Sequence, residues 1–351
     1  MKAISLFSGA GGSDLGFEEA GFNIIYSTDN DPTCNETYNR NFDSVQRPYS
    51  IQALNEQYEK GTVLKNYFKD VDVVFGGPPC QSFSLIKVQG KLSCEGLENV
   101  KEMQKFVGMT QPKFLVCENV ANLLRPSMLA AHMEFKQGFM DQGYIISVYN
   151  FNAENFGIPQ SRERAFYIGV RSDLYKEGLR FRCPDSNHWS KRFSGWADYL
   201  NEVLDDGENR YGVYIKRACD VGGRLPNEAA FTLTGAERPC IRFSSGSLVK
   251  DNQVKGDMRK LKNIKQRYLT INELKALQGF PKDFYFHGGV IQVRRQIGNA
   301  WCVPVGRIIA KSIANSLNYR LDLKARAACP KPACEVKTLP SPDGEMIIPI
   351  R

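Results

Sequence analysis

The chain has 351 residues, and 46 Lys and Arg against 38 Asp and Glu give it a net charge of +8. A hydrophobic share of 42% and a charged share of 24% are ordinary for globular proteins and exclude a disordered tail or a coiled coil. The length fits two domains, or one large domain with an insertion. A charge of +8 suits a nucleic-acid partner but does not by itself indicate one.

Short apolar runs alternate with amphipathic stretches through the first half of the chain. The predicted strands are Lys2–Phe7, Asn23–Ser27, Asp72–Phe75, Lys113–Cys117, Tyr144–Phe151 and Ala165–Val170, and the predicted helices are Ser13–Ala20 and Asp31–Asn41. Strands separated by helical stretches predict an α/β fold, a mostly parallel twisted sheet flanked by helices.

The sequence pattern changes after Cys183. Residues 184–265 lose the alternation of apolar runs and amphipathic stretches and carry Gly, Pro and scattered aromatic residues. Residues 250–267 hold seven basic residues and two acidic ones, which indicates either a solvated charged face or a surface that contacts phosphate. Regular order returns with a helix capped at Thr270–Glu273 that ends near Gly279, and Val303–Leu317 reads as a final apolar helix.

The compartment and the metal content follow from what the sequence lacks. No apolar run approaches the roughly 18 to 20 residues of a membrane helix, and the apolar start of the chain is too short for a signal peptide. The 10 cysteines form no C-x-x-C pair, and the 3 histidines have no metal-ligand spacing. We therefore expect a cytoplasmic protein with no membrane partner and no metal.

Three polar or glycine-rich clusters follow predicted strands: Ser8–Gly12, Asp29 and Gly76–Gln81. Ligands of such sheets bind beyond the carboxyl ends of the strands, where these clusters would meet. Glycines before a helix let backbone amides approach a ligand, although a tight turn without a ligand is the alternative. The pattern lacks the third glycine of the dinucleotide fingerprint, which argues against a nicotinamide cofactor.

Chemically reactive residues lie in and near these clusters. Cys80 follows a strand in the proline-stiffened loop Gly76–Ser84, where a thiolate could serve as a nucleophile, although most single cysteines are buried and inert. Glu118 follows the next apolar strand, and its alternative is an acid favoured by a helix N-terminus. Gln160–Arg164 precedes a further strand, and its alternative is a surface ion pair.

The chain resembles the cytosine-C5 DNA methyltransferases of the compact prokaryotic or phage type. The matching segments occur in the family's order: Ile4–Gly12, Gly76–Ser84, Glu118–Val120, Gln160–Arg164, Arg267–Glu273, Gln278–Pro281 and Gln296–Ala300. The resemblance covers residues 1–320. It implies an S-adenosylmethionine-dependent enzyme with a Rossmann-like fold that methylates cytosine in double-stranded DNA.

The resemblance also implies roles for individual residues. Cys80 would add to C6 of cytosine, Glu118 would hold or protonate N3, Arg164 would contact O2, and Arg162 would support the loop. The cofactor residues, for S-adenosyl-L-methionine and its product S-adenosyl-L-homocysteine, would be Phe7, Gly9, Ala10, Gly11, Gly12, Asp29, Ile51, Pro78, Asn299 and Ala300. The DNA contacts would be Gln81, which enters the space left by the flipped base, with Ser82, Ser84, Thr232, Arg238 and Arg242.

The domain organisation follows the same resemblance. A catalytic domain is expected over residues 1–183 and 296–322, a smaller, irregular, β-rich target-recognition domain over 184–295, and a C-terminal appendage over 323–351. The resemblance further implies a monomer associated with the nucleoid. It leaves open whether the enzyme is solitary, encoded by a phage, or part of a restriction-modification system with a companion endonuclease.

Two departures from the family pattern keep other readings open. The segment Leu85–Asn99 lacks the Asp-x-Arg-Gly-x-Leu element, for which Lys87 or Lys91 could substitute, and Ser50 stands where an Asp commonly binds the adenine amino group. A non-catalytic DNA-binding homologue is therefore the first alternative, and an RNA cytosine methyltransferase is the second. No Asp-Pro-Pro-Tyr or Asn-Pro-Pro-Tyr occurs, which argues against methylation of an amino group.

Overall fold

The structure, a computed structural model, describes residues 1–79, 95–206, 213–215, 224–225, 227–235, 239–244, 264–321, 339–340 and 346–349. The strands are β1 (Lys2–Leu6), β2 (Asn23–Thr28), β3 (Gln46–Arg47), β4 (Val73–Gly76), β5 (Phe114–Val120), β6 (Tyr144–Asn152), β7 (Gln160–Ser161), β8 (Glu163–Arg171), β9 (Val213–Ile215), β10 (Ala230–Phe231), β11 (Cys240–Ser244), β12 (Ile264–Tyr268), β13 (Leu339–Pro340) and β14 (Met346–Pro349). The α-helices are α1 (Gly12–Glu19), α2 (Pro32–Asn41), α3 (Ile51–Lys60), α4 (Thr62–Tyr67), α5 (Glu95–Thr110), α6 (Leu129–Asp141), α7 (Ser172–Lys176), α8 (Trp196–Leu204), α9 (Ile271–Gln278), α10 (Val290–Asn299) and α11 (Val303–Leu321).

Within these ranges, nine strands form one sheet in the order β13-β14-β6-β8-β5-β4-β1-β2-β3. The neighbours from β5 to β3 all pair in parallel, whereas β8 runs antiparallel to both β5 and β6. The expected α/β fold with a mostly parallel sheet is confirmed. The antiparallel β8 was not expected, because an apolar run gives no sign of its direction.

Helices cover both faces of the sheet and bury separate apolar cores. On one face, Phe17 of α1 stacks on Phe75 with ring centroids 3.9 Å apart, and Ile309 and Ile313 of α11 join them. On the other face, α3, α5 and α6 bury aromatic rings that include Phe106. None of the helices in the described ranges is long and apolar enough to cross a membrane.

The helix starts that matter for the site have local sequence causes. Asp31 caps α2 by accepting a hydrogen bond from the Thr33 amide at 2.8 Å, and Pro32 occupies the first helical position. Thr270 and Glu273 form a reciprocal capping box at the start of α9, which ends at the left-handed Gly279. This confirms the helix predicted between those residues.

Residues 184–300 contain a third core that the sequence did not predict. Trp196 and Leu200 of α8 are fully buried together with Ile241 of β11 and Leu277 of α9. Among the described residues, β9, β11 and β12 form an antiparallel sheet, and β7 and β10 form a short parallel pair. The sequence predicted an irregular, β-rich region here and gave no sign of the helix α8 within it.

Candidate active site

A glycine-rich turn connects β1 to α1. Three of its residues have left-handed backbone conformations, with φ of 53° at Phe7, 54° at Gly9 and 89° at Gly11. A Cβ atom at Gly11 would lie 2.4 Å from the Phe42 ring, so glycine is required there. A Cβ atom at Gly9 would meet no atom within 4 Å. The turn therefore presents open space on the Gly9 side.

Side chains from two neighbouring strand segments hold the Gly9 peptide group. The Asp29 carboxylate accepts from the Gly9 amide at 2.8 Å, and its second oxygen accepts from the Asp31 amide at 2.8 Å. Gln46 donates to the Gly9 carbonyl at 3.3 Å, and its buried Oε1 has no hydrogen-bond partner among the described residues. Burial raises the pKa of Asp29 above its usual range. Gln46 was missed because a lone glutamine after a loop carries no motif.

The chain returns to this turn after α10. A Cβ atom at Gly12 would lie 2.7 Å from the Trp301 carbonyl oxygen and 3.1 Å from Ala300 Cβ, so these segments pack directly together. Asn299 is exposed at the end of α10 beside them. The structure therefore brings the predicted Asn299–Ala300 segment to the predicted glycine turn, although they lie far apart in sequence.

The expected adenine-binding position lies at the start of α3. Ile51 is its first residue and is buried at 3% exposure. Ser50 caps the helix, because its hydroxyl accepts from the Ala53 amide at 3.2 Å. The residue that departs from the family pattern is thus used to start a helix.

Glu118 and Arg164 form an ion pair on neighbouring strands. In the antiparallel β5–β8 ladder, Val120 stands opposite Arg164, so Glu118 is a diagonal neighbour on the same face. Arg164 Nε lies 2.9 Å from Glu118 Oε1, and the side chains are only 21% and 13% exposed. Burial raises the pKa of Glu118, while Arg164 and Arg162 oppose the shift. The carboxyl therefore takes up a proton more readily than an ordinary glutamate does.

The loop that leads to Cys80 passes beside Glu118. A Cβ atom at Gly77 would lie 3.0 Å from Glu118 Oε2 and 2.9 Å from Trp301 Nε1, and the next residue, Pro78, is buried. The backbone just before the predicted nucleophile thus lies against the predicted acid. The four predicted site residues that follow in this loop, Cys80, Gln81, Ser82 and Ser84, lie outside the described residues.

Gln160 and Arg162 tie three distant segments together beneath the site. Alternation along the chain puts both side chains inside, at 0% and 4% exposure. Gln160 donates to the Leu277 carbonyl at 2.6 Å and accepts from the Leu233 amide at 3.0 Å. The Arg162 Nη atoms donate to three carbonyls, namely Leu233 at 2.7 Å, Gly298 at 3.2 Å and Ala300 at 2.9 Å. Burial lowers the pKa of Arg162 to about 10. No role for Gln160 was predicted from the sequence.

Removal of the Arg162 guanidinium should destabilise the fold. The variant Arg162→Met removes the donor from the Leu233 and Gly298 carbonyls, whereas the Ala300 carbonyl still accepts from Gln278. We expect the free energy of unfolding to fall by about 3 kcal/mol. Urea denaturation followed by circular dichroism measures this change. Arg192→Met is the control, because Arg192 is 73% exposed in its ion pair and should contribute less than about 1 kcal/mol. Equal losses in the two variants would contradict the assigned role.

The predicted DNA contacts are only partly described. The Thr232 hydroxyl donates to the Ser161 carbonyl, so the strand pair β7–β10 fixes its position. Arg242 lies on β11, its side chain lies outside the described residues, and so does all of Arg238. Arg267, at the end of the basic stretch, forms two hydrogen bonds of 2.8 and 2.7 Å with the buried Glu273. The positive charge of Arg267 is therefore paired with Glu273 within the protein.

Four other cysteines of the described residues are buried. Burial raises the pKa of Cys34, Cys117 and Cys302, the last to about 11, so these thiols are poor nucleophiles. Within the described ranges, no three His, Cys, Asp or Glu side chains come together in a way that could hold a metal ion.

Comparison with known proteins identifies the family. The model of the C-5 cytosine-specific DNA methylases matches residues 1–315. The Type II methyltransferase M1.HphI of Haemophilus parahaemolyticus is 34% identical over 333 residues, which are 90% of this chain and 86% of that protein. M.FnuDI of Fusobacterium nucleatum is 30% identical over 352 residues, covering 92% of this chain and 97% of that protein.

A solved structure supports the fold. A variant of Spodoptera frugiperda DNMT2 superposes with a TM-score of 0.64 at 19% sequence identity, covering 89% of this chain and 99% of that one. At this identity the match speaks for the fold alone. The family model and the two similar relatives each match most of the chain. They show that the chain belongs to the C-5 cytosine-specific DNA methylases, a family of S-adenosylmethionine-dependent enzymes.

Proposed function

We propose that the chain transfers a methyl group from S-adenosylmethionine to C5 of a cytosine in double-stranded DNA, with Cys80 as the nucleophile. The observation that carries this proposal is the buried Glu118–Arg164 pair, which the loop leading to Cys80 touches at Gly77. A largely buried acid beside a fixed cation suits a neutral heterocycle that must take up a proton during the reaction.

The chemistry requires activation of the pyrimidine, because C5 of cytosine is a poor nucleophile. The Cys80 thiolate adds to C6 while Glu118 delivers a proton to N3, so negative charge does not accumulate on the ring. Arg164 lies beside that carboxylate and can donate to O2 of the base. C5 then accepts the methyl group, which leaves S-adenosylhomocysteine as the product. Water takes the C5 proton, the C5–C6 double bond re-forms with departure of Cys80 as a thiolate, and N3 returns its proton to Glu118. Arg162 acts indirectly, by fixing the strand that carries Arg164.

The glycine turn suits the cofactor. The open space at Gly9 leaves room for an amino acid attached to a nucleoside. The partly exposed Asp29 and Gln46 Oε1, which has no partner among the described residues, offer polar atoms to it. Residues Phe7 and Gly9–Gly12 would bind the amino-acid part, Asp29 the ribose, Ile51 the adenine, and Pro78 with Asn299–Ala300 would close the site. When bound, S-adenosylmethionine supplies an electrophilic methyl group on its sulfonium.

The target cytosine must leave the duplex to reach this site, which costs a few kcal/mol of stacking and pairing. We assign Gln81 to the vacated space and Ser82, Ser84 and Thr232 to the DNA backbone. Arg238 and Arg242 belong to residues 184–295, which we propose as the target-recognition domain. The separate core around Trp196 and Leu277 supports a distinct folding unit there, with residues 1–183 and 296–322 as the catalytic domain.

The cellular setting is a further part of the proposal. Similar relatives are named as Type II methyltransferases, so we propose that this chain modifies DNA within a restriction-modification system, as a cytoplasmic monomer associated with the nucleoid. Electrophoresis of DNA from expressing cells after digestion with a panel of endonucleases tests this role. Protection at one recognition sequence is expected, and unprotected DNA despite active enzyme in vitro would contradict it.

A DNA duplex that contains 5-fluorocytosine should trap the chain covalently. The release step normally removes the hydrogen at C5 as a proton, and fluorine in its place cannot be removed as a cation. Cys80 therefore stays bonded to C6 after methyl transfer. Denaturing electrophoresis with S-adenosylmethionine present should show a species that migrates as protein plus DNA. DNA binding without this species on a cognate site would favour a non-catalytic DNA-binding homologue. An RNA duplex of the same sequence serves as control, and preferential trapping by RNA would contradict the DNA assignment.

A further inference from the structure

A buried polar network lies directly behind the glycine turn, and the proposed reaction does not use it. Its centre is Asp14, on the first turn of α1, which has no exposed surface. One carboxylate oxygen accepts from the Ser5 hydroxyl at 2.9 Å and from the Ser13 hydroxyl at 3.0 Å. The other accepts from the Tyr38 hydroxyl at 2.9 Å. Strand β1 and helices α1 and α2 thus meet on one carboxylate.

The network reaches the turn through two serines. The Ser8 hydroxyl donates to Ser5 Oγ at 2.8 Å, and Ser5 in turn donates to Asp14. The Ser8 carbonyl accepts from the Gly11 amide at 2.9 Å, which closes the turn. Ser8 therefore sits between the buried carboxylate and the backbone that faces the open space at Gly9.

The turn needs such support. Phe7, immediately before Ser8, has a φ of 53°, a conformation that is strained for a residue with a side chain and persists only where its surroundings enforce it. Burial of a carboxylate is itself unfavourable and raises the pKa of Asp14 to about 6. Replacement of such buried polar groups by apolar side chains is often neutral or stabilising, so the network is better explained by the geometry it fixes.

We propose that Asp14 is a positioning residue for the methyl donor, which acts through Ser5 and Ser8 to hold the Phe7–Gly11 turn in its open conformation. This inference rests on the proposed function, because the ligand of the turn is taken to be S-adenosylmethionine. Asp14 acts without contacting the ligand. Its loss should therefore weaken binding of the methyl donor and leave binding of DNA unchanged.

The variant Asp14→Asn tests this proposal with little change in size. The amide has one acceptor oxygen where the carboxylate has two, so it can accept from the two serines or from Tyr38 but not from all three hydroxyls together. Isothermal titration with S-adenosylhomocysteine should give about tenfold weaker binding, which corresponds to about 1.4 kcal/mol. The KM for S-adenosylmethionine should rise by a similar factor, with kcat and the KM for DNA unchanged.

Two tyrosines provide a matched comparison that separates positioning from stability. Tyr38→Phe removes one donor to Asp14, and Tyr144→Phe removes an equally buried hydroxyl that donates to the Pro112 carbonyl at 2.7 Å, elsewhere in the fold. Both should lower the free energy of unfolding to a similar extent. Only Tyr38→Phe should weaken the binding of S-adenosylhomocysteine, by about threefold to tenfold. If Asp14→Asn does not fold, the comparison of these two tyrosine variants tests the positioning role by itself.

The outcomes distinguish this inference from the proposed function. Wild-type affinity for S-adenosylhomocysteine in both Asp14→Asn and Tyr38→Phe would overturn the positioning role alone. A wild-type chain that binds no S-adenosylhomocysteine would overturn the cofactor assignment, and the inference with it. Equal weakening in Tyr38→Phe and Tyr144→Phe would show a general effect of stability and would also overturn the positioning role.

Discussion

Replacement of Cys80 by serine should abolish methyl transfer while DNA binding is retained. A serine hydroxyl is far less acidic than a thiol and is a much weaker nucleophile towards C6. We expect the rate of transfer of tritiated methyl groups to DNA to fall by about 10⁴-fold or more. Gel-shift affinity for the same DNA should change by less than about threefold, because one atom is exchanged.

The control for this substitution is Cys183→Ser, which changes a partly exposed thiol whose sulfur donates to the Pro184 carbonyl, away from Glu118. Its methyl transfer should equal that of the wild type. Substantial activity in Cys80→Ser would exclude Cys80 as the nucleophile. Loss of activity in both variants would point to a general sensitivity of the enzyme to thiol replacement.

Glu118→Gln should produce the second-largest loss. The amide keeps the size of the side chain and can still donate a hydrogen bond, but it cannot deliver a proton to N3 and cannot pair with Arg164 as an ion. We expect kcat for methyl transfer to fall by about 10²- to 10³-fold, with a smaller change in the KM for DNA. Steady-state kinetics on a cognate duplex separate the two quantities.

Glu163→Gln serves as the matched control for this prediction. Glu163 lies next to Arg164 in the chain, but its side chain is exposed and accepts from Asn150 at 3.3 Å. The variant should retain wild-type kcat. If Glu118→Gln also retained it, the carboxyl would not act as the proton donor, and its ion pair with Arg164 would have a structural role only.

The predicted strands recur in the structure with ends that differ by a few residues, because buried parallel strands produce long apolar runs bounded by glycine and polar residues. The helix at Thr270 was predictable for a similar local reason, since its capping box is written in four consecutive residues. The helices α3 to α8 and α10 were missed. The apolar residues of these helices, such as Trp196 and Leu200, are placed by contacts with distant parts of the chain. The sequence around these helices has few capping residues that would mark where a helix begins.

The residues of the candidate site likewise divide into those that the sequence predicted and those that it did not. Motif residues such as Glu118 and Arg164 were named from the sequence, and the antiparallel β5–β8 ladder explains why they meet. Gln46, Gln160 and Asp14 were not assigned roles, because each works through contacts to backbone or to buried hydroxyls that lie far away in sequence. A sequence pattern marks residues that face a ligand more readily than residues that hold those residues in place.

The most direct test of the central claim is the mass spectrum of nucleosides from DNA of cells that express this chain, compared with cells that express Cys80→Ser. Digestion to single nucleosides separates 5-methyl-2′-deoxycytidine from cytosine methylated at N4 and adenine methylated at N6. We predict that 5-methyl-2′-deoxycytidine accumulates only with the wild-type chain. A methyl group at N4 or N6, or equal 5-methyl-2′-deoxycytidine with both chains, would contradict the claim that this enzyme methylates C5 of cytosine through Cys80.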